Sequence, residues 1–114
     1  MRTGQKLVLQ ALEKEQKRLT LKAQKAAQLS EDFINAPSIM MEARRKAADI
    51  LNTGGYEKNI NKFEELASQE KTAINLMEKD ANKVFDAENK AKSDLDEFSY
   101  ELSFLSMRYN RGGV

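Results

Sequence analysis

Apolar residues recur along this chain in alternating steps of three and four. From residue 60 the positions are Ile60, Phe63, Ala67, Glu70, Ile74, Met77, Ala81, Val84, Glu88, Ala91, Leu95, Phe98, Leu102, Leu105 and Tyr109, and only the two glutamates break the series. A mean spacing of 3.5 residues holds one seam of an α-helix against a partner helix. The first half repeats the pattern at Val8, Leu12, Glu15, Leu19, Lys22, Ala26, Leu29, Phe33, Ala36, Met40, Ala43, Ala47 and Ile50. Between the two runs lies Asn52-Thr53-Gly54-Gly55-Tyr56. A glycine pair after a helix supplies the left-handed backbone that ends it.

The expected architecture is therefore all-α: a long antiparallel two-helix coiled-coil hairpin forming a single domain over residues 1–114. Arm one spans about 5–52, the turn 53–55, arm two about 56–109, and a tail 110–114. Residues whose numbers sum to about 110 should face each other. Pro37 lies inside arm one, where it removes a backbone donor and crowds the preceding turn. The arm is expected to be kinked or broken there, a break making 37–52 a short third helix. Phe98-Ser-Tyr-Glu-Leu-Ser-Phe104 also alternates with period two, but no second strand candidate exists, so helix is expected.

Charge sharpens this picture. Residues 1–29 hold seven basic and two acidic side chains, and residues 64–101 hold five basic and eleven acidic, in a chain whose net charge is only +1. A hairpin sets the basic stretch beside much of the acidic one, so the arms should attract. Lys22 and Glu88 occupy seam positions on the expected register. They are candidates for a polar layer that fixes alignment at some cost in stability.

Candidate chemistry is sparse. The chain has no cysteine and no histidine, which excludes disulfides, thiolate nucleophiles, imidazole bases and Cys/His zinc sites. Asp94, Asp96 and Glu97 lack the glycine and further ligand of a calcium loop. A two-helix hairpin also has no cleft in which carboxylates could converge. No catalytic residue, cofactor or metal is expected, and the chain reads as a non-enzyme without a small-molecule substrate. Lys14, Lys17, Arg18, Lys22 and Lys25 could meet phosphates, but the acidic arm would offset their field and no recognised motif is present, so nucleic acid is disfavoured. No run of residues has the length or apolarity of a signal peptide core or a membrane span. A soluble protein made in the cytoplasm is expected.

The informative surplus is apolar surface that the seam cannot absorb. It is densest where the two ends of the chain meet. Leu7 and Leu9 lie there opposite Phe98, Tyr100, Phe104, Met107 and Tyr109, four of these five being aromatic. Such surface marks an interface. The leading expectation is a structural or assembly component that docks through this end and self-associates, such as a virion-type or secretion-machine part. In gross shape, though not in any motif, the chain resembles the hairpin stalk proteins of flagellar and type III export systems. Two other classes compete with this reading. One is an adaptor or chaperone holding a partner's amphipathic helix, and the other is a nucleic-acid packaging or regulatory factor.

Overall fold

Good helix formers fill the first half of the chain, and they build one uninterrupted helix. In the computed structural model, which describes residues 3–112, α1 spans Thr3–Asn52, α2 Ile60–Met77 and α3 Ala81–Gly112. The protein is all-α, and the described residues contain no strand.

Pro37 lies inside α1, so of the two outcomes expected there, kink or break, the break does not occur. Pro37 is exposed, and the apolar stripe continues past it through Met40, Ala43, Ala47 and Ile50. Packing of that stripe offsets the lost hydrogen bond. The third helix arises from a break in the other arm. α2 closes with the Glu78 amide bonding the Ile74 carbonyl and the Lys79 amide bonding that of Leu76. Asp80 then starts α3. Its Oδ1 accepts from the Asn82 amide at 2.9 Å, and its carbonyl accepts from the Val84 amide at 3.0 Å. This is an aspartate N-cap.

The turn is also longer than expected. α1 ends in a Schellman motif: the Gly55 amide bonds the Ile50 carbonyl and the Gly54 amide bonds that of Leu51. Gly54 sits at φ 68°, a conformation that costs glycine nothing. Residues 53–59 then cross to α2, with Tyr56 set edge-on against Phe63 at a centroid distance of 5.1 Å. At the other end, α3 extends to Gly112, so residues 110–112 of the expected tail are helical, while 113 and 114 lie outside the described residues.

The chain divides into two compact units. Unit 1 pairs the first part of α1, to Gln28, with α3 from Phe85 onward. Its two helices run antiparallel: Leu9 shares a groove with Leu102 and Ser106, whereas Leu19, further along α1, shares one with Asp94 and Phe98. Its core residues are Leu9, Ala23, Ala91 and Leu102. Unit 2, Leu29–Val84, packs the rest of α1 with α2 and the first turn of α3 around Ala36, Ala43, Leu66, Ala73 and Val84. Among the described residues no large side chain is fully buried. Each core is thin and rich in alanine, which lets backbones approach closely but buries little apolar area.

The register differs from expectation by about one helical turn. Gln16, expected near residue 94, donates to Ser99 Oγ at 3.0 Å. Arg44, expected near residue 66, bonds Glu70 Oε1 at 2.7 Å. A seven-residue connection in place of three moves the pairing point toward the C-terminus of the second arm.

Candidate interaction surface

The inward stripe of α1 in unit 1 is Leu9, Leu12, Gln16, Leu19, Ala23 and Ala26, all buried or half-buried. It shares Leu12, Leu19 and Ala26 with the expected seam and replaces Val8, Glu15 and Lys22 by their successors. Two corrections follow. Leu9 is a core residue, only 8% exposed, and is not part of a docking surface. Lys22 is exposed because Ala23 takes the inward position. Glu88 is half-buried and pairs with Lys92, one turn on, at 3.2 Å. The structure does not bring Lys22 and Glu88 together as a register layer. α2 shifts the other way, to the preceding residue: Leu66 and Ala73 are buried, while Ala67 is exposed.

The remaining candidate positions fall into two groups. Phe98 and Tyr109 are half-buried on the inward side of α3. Leu7, Tyr100, Phe104 and Met107 are exposed, at 60%, 75%, 62% and 54%. Tyr100, Phe104 and Met107 stand at i, i+4 and i+7, which places them on one helix face. A shallow hollow runs between Tyr100 and Phe104, floored by Leu105 and edged by Glu101. Asp86, Asp96 and Glu97 are exposed on the same face, with the neutral Asn89 and Ser93 between them. That face points away from the buried Ala91 and Leu102. The cations Lys90 and Arg108 are exposed on the Glu97 side of this face, seven residues before Glu97 and four after Phe104.

The outward face of α1 in unit 1 has a different character. Leu7, Lys14 and Leu21 follow one another at intervals of seven, and Arg18 and Lys25 share their side; all five are exposed. Arg18 is tied to Glu15 one turn back. That hydrogen-bonded guanidinium holds the Glu15 carboxyl below the usual carboxylate range, and Glu15 in turn raises the Arg18 value. Lys14 and Lys25 enter no ion pair among the described residues.

This placement changes the meaning of the charge segregation. The salt bridges of unit 1 among the described residues are Arg18–Glu15 and Lys92–Glu88, each within one helix. The cations of α1 and the exposed acids of α3 in unit 1 therefore face outward on opposite sides of that unit, while Glu64, Glu65, Glu70, Glu78 and Asp80 of the acidic stretch lie in unit 2. Sequence reasoning found the cations and leucines of α1 separately and missed that they share a face. The interval of seven from Leu7 to Lys14 to Leu21 was the signal.

Unit 2 also shows apolar side chains to solvent, Ile34 and Met41 most strongly, at 64% and 66%. The described residues contain no helix long and apolar enough to cross a membrane. They also contain no cluster of three or more metal-ligating acidic side chains. No protein-family model, curated protein or solved structure matches the chain.

Proposed function

We propose that this protein is a non-enzymatic structural or assembly component that works through helix–helix contacts. A part of a virion or of a secretion machine is the kind of role intended, with the chain made as a soluble cytoplasmic protein. The observation that carries the reading is the outward face of α3. Tyr100, Phe104 and Met107 leave more than half of their surface in water, although aromatic and methionine side chains gain most from being covered. The cores offer the same argument from the inside. Unit 1 buries only Leu9, Ala23, Ala91 and Leu102 among its described residues, and covering its α3 face would add to that apolar area.

Light scattering on the purified chain tests the reading. The wild-type protein should form a defined oligomer, and Phe104→Glu should reduce its mass while leaving helical circular dichroism unchanged. A strictly monomeric particle indifferent to Phe104→Glu would sink the proposal. A monomer that associates only when an amphipathic helix is added would favour the adaptor class instead.

A further inference from the structure

We infer that the occupant of the α3 face is the α1 face of a second copy of this chain, so that unit 1 associates head to tail. This rests on the reading of α3 as a docking face and adds the identity of the partner. The argument is charge complementarity on an apolar ground. The outward face of α1 carries Lys14, Arg18 and Lys25 with Leu7 and Leu21. That of α3 carries Asp86, Asp96 and Glu97 with Tyr100, Phe104 and Met107. The α1 face has no exposed acid along its centre, and the α3 face carries the cations Lys90 and Arg108 only on its Glu97 side.

Pairing each face with itself is opposed by this pattern. An α3–α3 contact running the length of the face would bury aromatic surface but bring Asp96 and Glu97 against their own copies. An α1–α1 contact would oppose lysines. Like charges brought together disfavour both contacts. Over the full length of the faces, α1 against α3 gains at both levels. Suppose a second copy adopts the register seen within unit 1, where Gln16 meets Ser99. Leu7 then falls beside Phe104 and Met107, Lys14 beside Glu97 and Glu101, and Arg18 beside Asp96. Leu21 lies over the small Ser93, and Lys25 falls beside Asn89 and Lys90, within a turn of Asp86. The contact would thus repeat between copies the antiparallel α1–α3 pairing already present within each.

Such an interface is heterologous. Each copy uses one face to bind and leaves the other free, so the assembly closes as a ring or grows as an open array; it does not stop at a two-fold dimer.

The test uses two full-length variants and their mixture. Lys14→Glu/Leu21→Glu blocks the α1 face, and Phe104→Glu blocks the α3 face. All three positions are exposed, and helical circular dichroism checks the fold. Each variant alone should sediment as a monomer. Mixed in equal amounts, they should form a 1:1 dimer and nothing larger, because one intact face remains on each. Assembly of the α1-blocked variant alone would overturn head-to-tail pairing in favour of α3 against α3, while leaving the docking role of α3 standing. A monomeric mixture alongside an assembling wild type would also overturn it. A wild type monomeric at every concentration would remove both readings. The charge-only variants Lys14→Glu and Glu97→Lys provide the same comparison without altering an apolar residue, each weakening assembly and the mixture recovering it.

Discussion

Ser30 shows how closely the helices of unit 2 approach. It is 3% exposed on the inward stripe of α1, and its Oγ is buried without a hydrogen-bond partner. A hydroxyl removed from water without a partner costs about 1–3 kcal/mol. Alanine fits the same space and adds a better helix former. Ser30→Ala should therefore stabilise the protein by about 1 kcal/mol, read as a higher denaturant midpoint at unchanged m. An unchanged or lower midpoint would show that water or a neighbouring carbonyl serves the hydroxyl in solution. The same closeness explains the small residues around it. Ala36, Ala43 and Ala73 are nearly inaccessible, so a larger side chain at any of them would force the pair apart.

At the level of helices, the least expected feature is the start of α3. Asp80 caps it through the Asn82 amide and, more weakly at 3.4 Å, the Lys83 amide. Asp80→Ala should cost about 1 kcal/mol, with increased amide exchange concentrated in residues 81–84. Exchange spread evenly over α3 would mean that the cap does not govern this end. The sequence contained this signal, an aspartate followed by a helix-forming stretch, but the uninterrupted three-four spacing across Met77, Ala81 and Val84 argued for one helix. Periodicity reports which face is apolar and is blind to a backbone interruption that preserves the phase. At Pro37 the periodicity was the better guide: the register passes through the proline from Phe33 to Ala36 to Met40, and the helix continues with it. Helical class, the glycine-capped end of α1 and the exposed apolar face at Tyr100, Phe104 and Met107 were all legible. The seam was legible residue for residue from Phe33 to Ile50 and from Ala81 to Tyr109, and only to within one residue elsewhere. Leu29 is more apolar than Ser30 and Val8 neighbours Leu9, so composition chose the wrong member of adjacent pairs. The register depended on a turn whose length two glycines do not define.

Across the whole molecule, charge would act on which copies associate more than on how each folds. Lys14, Lys25, Asp86 and Glu97 are exposed and enter no ion pair among the described residues, so reversing them should alter helical content and unfolding midpoint little. Between copies, the same four side chains weigh most on the sign of the two faces. A chain carrying Lys14→Glu and Lys25→Glu alone would present two acidic faces and should fail to assemble. Adding Asp86→Lys and Glu97→Lys should restore assembly, now with an acidic α1 face and a basic α3 face. This fully reversed chain would match itself but not the wild type, since each mixed contact opposes like charges. Two differently labelled populations, wild type and fully reversed, should then sort into separate oligomers by native mass spectrometry at low salt. The separation should blur as rising ionic strength shortens the range of the repulsion. Free mixing at low salt would mean that the apolar residues alone select the partner, leaving the segregated charge without a part in assembly.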